Sequence, residues 1–237
     1  QFLQKDLPYH PEKDFVPVVG LAAGHSILIA ANHMNVNSAK ELVEKLKSAP
    51  GKYNYASGGN GSGAHLAAEL FKSSAGIDIV HVPYKGAPEI VTSVISGSTL
   101  CGFPTLATAV PQVKAGRLRA LGVSSAKRSA LAPDIPSLAE AGVPGMDVVT
   151  WYGLSAPRNL PAAIVNRLNR EMVEISQSAE YREQIAALGI EPQGKGRLPR
   201  RTCRDGYGSL RRRDRLRHRG GRRHRCGRGH RQRLGRE

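Results

Sequence analysis

Between residues 27 and 123, apolar runs of strand length alternate with stretches of helical period, joined by short connections. No other feature constrains the fold as tightly. A helix after each strand carries the chain back to the starting end of the sheet, so successive strands lie parallel and helices cover the faces. Strands are expected over residues 15–19, 27–31, 53–56, 77–82, 99–103, 118–123 and 148–154. Helices are expected over residues 64–74, 87–96, 106–115, 164–175 and 181–188, with Leu66, Leu70 and Phe71 inward on the first and Gly189 capping the last. Two capping boxes add further starts, because a serine oxygen there takes up a backbone N–H that the first helical turn leaves unpaired. Ser38-Ala-Lys-Glu41 opens a helix with Leu42, Val43 and Leu46 as its apolar stripe, and Ser137-Leu-Ala-Glu140 opens a short one closed by Gly142. Hydrophobic residues make up 40% of the chain and aromatics only 5%, so the core is expected to be aliphatic.

The formal net charge of +16 at first suggests a nucleic-acid binder. Its distribution removes that impression. Residues 195–237 hold 18 of the 35 Lys+Arg and three of the 19 Asp+Glu, which leaves residues 1–194 at +1. The segment 195–237 is mostly Arg, Gly and His without periodicity. Such a segment cannot offset its ordering entropy by burial, and disorder is the expectation. A one-base slip that turns GCN alanine codons into CGN arginine codons would produce it; a frameshift product is therefore a hypothesis that the gene sequence tests. Nucleic-acid binding by this segment would be electrostatic and salt-sensitive, so no specific nucleic-acid partner is expected. Cys203, Cys226, His218, His224 and His230 have no regular zinc-ligand spacing, and three cysteines are too few for a disulfide framework. No apolar run approaches the length of a membrane span. Gln1 opens on a charged, Pro-containing stretch rather than a signal peptide, and without an initiating Met an upstream portion is expected to be missing.

The strongest local signal is Tyr55-Ala-Ser-Gly-Gly-Asn-Gly-Ser-Gly-Ala-His65, which reads as strand end, loop and helix start. Gly58, Gly59, Gly61 and Gly63 let backbone N–H groups converge, and the helix N-terminus behind them adds partial positive charge. Ser57, Asn60 and Ser62 add short polar groups suited to a carboxylate. A plain tight turn is the competing reading. Gly59-Asn-Gly-Ser-Gly-Ala64 also fits G-x-G-x-x-A, so a nucleotide-binding α/β enzyme using residues 59–64 is the alternative function. Asp78 has the spacing of a ribose ligand but precedes the next apolar run and so lies at its wrong end. Downstream, Val82-Pro-Tyr-Lys-Gly86 is the second loop of the same topology, expected beside the first at the carboxyl ends of parallel strands. Tyr84 and Gly86 are candidate contacts. Lys85 either meets a carboxylate or is solvated, and His65 either braces the loop or touches a ligand. Thr105 ends a third strand, and Trp151 either lines a cleft or packs at a hinge. His10, His25, His33, His65 and His81 show no metal-ligand spacing, and no serine sits in a Gly-x-Ser-x-Gly elbow. No catalytic residue, metal or cofactor is expected, and the chain is read as a binding protein rather than an enzyme.

Taken in order, these motifs resemble a known family. Residues 7–18, 55–62, 81–86, 118–129 and 151–154 (LPYHPEKDFVPV, YASGGNGS, HVPYKG, LRALGVSSAKRS and WYGL) are similar to the Bug or TctC-like proteins. These are the extracytoplasmic solute receptors of tripartite tricarboxylate transporters. The resemblance implies an α/β fold of periplasmic-binding-protein type II, with two lobes of parallel-rich sheets closing on a small carboxylate or dicarboxylate. It implies ligand contacts from loop amides and ordered waters, with Ser57, Gly58, Gly59, Asn60, Gly61, Ser62, Tyr84, Lys85 and Gly86 lining the cleft. It also implies a periplasmic location and the membrane components of a transporter as partners. On that pattern residues 33–149 form a nearly complete lobe. Residues 1–32 and 150–194 belong to a second lobe that is incomplete, and residues 195–237 lie outside the fold.

Overall fold

The computed structural model describes residues 6–195. In chain order its strands are β1 (Phe15–His25), β2 (Ile27–Ala31), β3 (Asn54–Ser57), β4 (Val80–Pro83), β5 (Cys101–Gly102), β6 (Leu118–Val123), β7 (Val149–Pro157) and β8 (Ile190–Lys195). Its α-helices are α1 (Ala39–Lys47), α2 (Gly63–Ala75), α3 (Ala87–Ser96), α4 (Leu106–Lys114), α5 (Ala162–Gln177) and α6 (Ala179–Ala187). Two sheets result, a five-stranded one in the order β4-β3-β5-β2-β6 and a three-stranded one in the order β7-β1-β8. No helix among the described residues is long and apolar enough to cross a membrane.

In the larger sheet β3 pairs parallel with β4 and β5, while β2 pairs antiparallel with β5 and β6. The expected parallel direction holds for four of the five strands, and β2 is corrected to antiparallel. β2 follows β1 after the single residue Ser26, with no helix to return the chain, so it enters the sheet against the direction of the other four. All five of its residues are buried, as a strand covered on both faces requires. The change of sheet falls at Ser26.

The main core joins Ile27, Leu28 and Ile29 of β2 with Leu42 and Leu46 of α1, Phe71 of α2, Phe103 and Leu138. Phe71 and Phe103 meet edge to face with ring centroids 5.7 Å apart. Each fully buried aliphatic side chain stabilises the fold by about 1.5–3 kcal/mol. On α2 the buried residues are Ala67, Ala68 and Phe71, whereas Leu66 and Leu70 are only half-buried. Small alanines let the helix axis approach the sheet, and the leucines expected inward are left at the margin.

The first capping box forms as read: Glu41 N–H donates to Ser38 Oγ at 3.2 Å. The second forms too, with Glu140 N–H donating to Ser137 Oγ and Ser137 N–H to Glu140 Oε2. It opens a single turn, not the expected helix. Gly142 adopts φ +90°, Gly142 N–H donates to Ala139 O and Val143 N–H to Leu138 O, which closes the C-terminal end one turn after the start.

The smaller sheet is all antiparallel. β1 runs six residues beyond its expected end at Val19, through Gly20 and Gly24, because partners on both sides hold it. It shifts register between Pro17 and Val19 and again between Gly20 and Ala22, as bulges permit. β8 is not foreseen by the sequence pattern; Pro192 and Gly194 are poor strand residues, tolerated here because β8 is an edge. This sheet has a small core of Val18, Val19, Ala156 and Val165, and Ile164, Ile175 and Leu188 remain exposed.

Candidate functional site

From β3 the chain passes through α2 to β4 on one side of β3, then returns through α3 to β5 on its other side. The order reverses between β3 and β5, and in open α/β sheets ligands bind at the carboxyl ends of the strands at such a point. The glycine loop after β3 lies there, flanked by the loops after β4 and β5. Tyr84 N–H donates to Ser57 O at 2.9 Å, which ties the first two loops together. A Cβ placed on Gly58 would lie 3.5 Å from Gly86 Cα, and one on Gly59 3.4 Å from Tyr84 O. The loops thus meet backbone to backbone. Gly59 also has φ +106°, where any side chain is strained.

A polar cluster under the loop explains how it is held. Strand alternation puts Tyr55 and Ser57 on one face of β3, and register sets His81 of β4 opposite Tyr55. On α2, His65, Glu69 and Lys72 recur at i, i+4 and i+7 and so share a stripe. The rings of His65 and His81 stack with centroids 4.2 Å apart, and His81 stacks in turn on Tyr55 at 5.0 Å. Tyr55 donates its hydroxyl to Glu69 Oε1 at 2.6 Å, and Lys72 Nζ donates to the same oxygen at 3.0 Å. Burial pushes the Tyr55 hydroxyl well up, and the hydrogen bond to Glu69 and that residue's charge add to the effect. For Glu69 burial acts upward, but the hydrogen bonds from Tyr55 and Lys72 and the charge of Lys72 win, and its carboxyl is held below the ordinary value. His81 is shifted downward by burial first, then by His65.

Two loop amides are held from below. Ser57 Oγ lies 2.6 Å from His81 Nε2 and accepts the Gly59 N–H at 3.1 Å. His65 Nδ1 accepts the Gly61 N–H at 3.1 Å. Ser62 Oγ caps α2 by accepting the His65 N–H at 3.2 Å. Among the expected contacts, Ser57 is therefore fully buried with its hydroxyl engaged inside the protein, and His65 Nδ1 is engaged by the loop backbone. The first-turn N–H groups of Gly63 and Ala64 have no intrahelical acceptor, as at any helix start. Asn60 and Lys85 are exposed; Lys85 offers its backbone N–H to Glu89 Oε2 at 3.1 Å. Thr105 sits at the start of α4, 2.9 Å from Thr108 through their hydroxyls.

From the smaller sheet, Trp151 pairs with Ala23 and is 44% exposed, so it does not pack as a buried hinge residue. Its neighbour Thr150 reaches the loop: a Cβ on Gly63 would lie 2.7 Å from Thr150 Oγ1. Sequence reasoning passed over Thr150, His81, Tyr55, Glu69 and Lys72. The i, i+4, i+7 polar spacing on α2 and the i, i+2 pair on β3 were the signals available. The backbone carbonyl of Asp78 accepts the Gly51 N–H before β3 begins, at the end of the sheet opposite the loop, where an acid for a ribose is of no use. Among the described residues no group of three His, Cys, Asp or Glu side chains is placed to hold a metal ion. The cysteine and histidine residues of 203–230 lie outside the described residues.

Residues 1–197 match the family described as "Tripartite tricarboxylate transporter family receptor". A relative from Pseudomonas sp. (strain P51), the UPF0065 protein in the tcbD-tcbE intergenic region, is 34% identical over 195 residues, covering 82% of this chain and 58% of the relative. The chain thus spans little more than half the length of that protein. Among solved structures, the R. palustris protein Rpa4515 with adipate superposes with a TM-score of 0.76 at 30% identity, over 90% of this chain and 71% of that one. MatC (Rpa3494) from Rhodopseudomonas palustris with bound malate superposes with a TM-score of 0.74 at 27% identity, over 89% and 72%. The α/β fold is that of these periplasmic-type solute-binding proteins.

Proposed function

We propose that this chain, which belongs to the tripartite tricarboxylate transporter receptor family, carries the ligand loop of a receptor for small carboxylates or dicarboxylates. In this reading the five-stranded sheet is one lobe and the three-stranded sheet belongs to the other, and closure between them encloses the ligand outside the cytoplasm. The loaded receptor then delivers it to the membrane components of the transporter. The carrying observation is the uncharged glycine loop at the switch point, with the first turn of α2 directly behind it. Backbone N–H groups and a helix N-terminus bind an anion without a buried counter-charge. Gly58, Gly59, Gly61, Asn60, Ser62, Tyr84, Gly86 and Thr105 line the site from the larger sheet, and Thr150 reaches it from the smaller one, with Trp151 exposed next to it on the strand. Lys85, exposed at its edge, steers the anion more than it binds it. The adipate and malate held by the two similar proteins support this ligand class.

Calorimetry on the full chain with malate, adipate and citrate, set against NAD and ATP, tests the reading. Saturable binding of a carboxylate with none for the nucleotides is expected. Tight nucleotide binding with no response to carboxylates would sink it.

A further inference from the structure

The loop is held by two imidazoles. Gly61 N–H ends on His65 Nδ1, and Gly59 N–H ends on Ser57 Oγ, itself 2.6 Å from His81 Nε2. The two rings stack nearly parallel, 15° apart. For His65 Nδ1 to accept a hydrogen bond it must carry no proton. A proton there would set N–H against N–H at a distance of 3.1 Å. It would also place an imidazolium against the second ring. The groups that face this pair are Tyr55 from β3, Glu69 and Lys72 from α2, and each histidine toward the other; at His81, Glu69 favours a proton, whereas His65 and Lys72 oppose it.

We propose that His65 and His81 are the positioning residues of the glycine loop: as neutral rings they hold the Gly59 and Gly61 amides in the anion-accepting arrangement, and a proton on His65 Nδ1 releases Gly61. The consequence for ligand rests on the carboxylate-receptor reading; the hold on the loop does not. Neither ring touches the ligand in this assignment. They act through the backbone they brace, so the carboxylate site is pH-sensitive although it contains no titrating contact of its own.

Amide and imidazole NMR of the uniformly 15N-labelled full chain tests the hold directly. In the wild type the Gly61 amide resonance should move as pH falls, in step with the His65 ring and toward the position of a free amide. At pH 8 its hydrogen exchange should rise roughly fivefold in His65→Ala, the factor a hydrogen bond of ordinary net strength carries. His65→Asn places an amide oxygen near the Nδ1 position, so it should keep the Gly61 resonance bonded and remove its pH response. A Gly61 amide that stays fixed while the His65 ring titrates, or that titrates unchanged in His65→Asn, overturns the proposal; the wild-type titration decides this even if the alanine variant does not fold. Malate and adipate titrations at pH 8 and pH 5 form the second arm. Each acid takes up protons of its own as pH falls, so the wild type is read against His65→Asn: the loss of affinity from pH 8 to pH 5 should be at least about fivefold larger in the wild type. If neither acid binds while Gly61 follows His65, the positioning role stands and the receptor reading fails.

Discussion

Gly189 provides the sharpest test of how the described residues are put together. It follows α6 at φ +66° and precedes β8, and a Cβ there would lie 2.5 Å from Ala107 Cβ, 2.7 Å from Ala107 N and 2.8 Å from Ala107 Cα. Carbon atoms in contact prefer about 3.5–4.0 Å, and two of these neighbours are backbone of α4 that cannot rotate away. Gly189→Ala therefore meets two costs. The left-handed conformation costs roughly 1–2 kcal/mol for a residue with a Cβ. Forcing a methyl into a filled contact adds about 1–3 kcal/mol. Gly76 separates them, since it caps α2 at φ +64° with nothing within 4 Å of its Cβ position. Gly76→Ala should thus lose only the conformational part. Urea denaturation followed by far-UV circular dichroism gives both numbers on the same chain. The expected outcome is a loss of about 2–5 kcal/mol at position 189 and roughly 1–2 at position 76, with similar m-values. Equal losses at the two positions would show that Gly189 is not seated on Ala107, and the placement of α6 and β8 against the start of α4 would be wrong.

Gly102 lies in β5 with its Cβ position 2.7 Å from Ile90 Cγ2, so Gly102→Ala should destabilise by about 1–3 kcal/mol; Ile90→Leu, which removes the β-branch methyl, should relieve part of it, seen as a favourable coupling in a double-mutant cycle by denaturation. Tyr55→Phe should cost about 1 kcal/mol near neutral pH, since the partner carboxylate of Glu69 is partly solvated. Glu69 has a lowered pKa when folded, so its contribution is present above its ordinary value of about 4.5 and is lost as pH falls through the folded value; the gap between wild type and Tyr55→Phe should close on acidification, as thermal melts across pH will read. At the loop, Gly59→Val should abolish carboxylate binding in calorimetry by straining φ and pressing on Tyr84 O, whereas Lys85→Ala should weaken it only modestly. The reverse ranking would move the anion site to Lys85.

Local chemistry made much of the fold legible. Apolar runs marked β2 and β6, the capping serine Ser38 marked the start of α1, and Gly189 marked the end of α6, because each depends on a few neighbouring residues. The glycine loop was legible for the same reason: convergent backbone N–H groups before a helix are a local arrangement. Other features depend on partners distant in sequence. The reversed direction of β2 follows from its entry through Ser26 out of another sheet, and β8 exists only because β1 offers it an open edge. The site divides likewise. Sequence placed the loop, but Ser57 read as a ligand-facing group and His65 as either a brace or a contact until His81, brought opposite Tyr55 by strand register, and α2, laid across β3, showed Ser57 Oγ and His65 Nδ1 bonded to the loop's own amides. Hydrogen-bond capacity is a property of the residue, and periodicity sets which face of its element it shares; which partner uses that capacity is decided by strand order and register, and these exist only in the folded sheet.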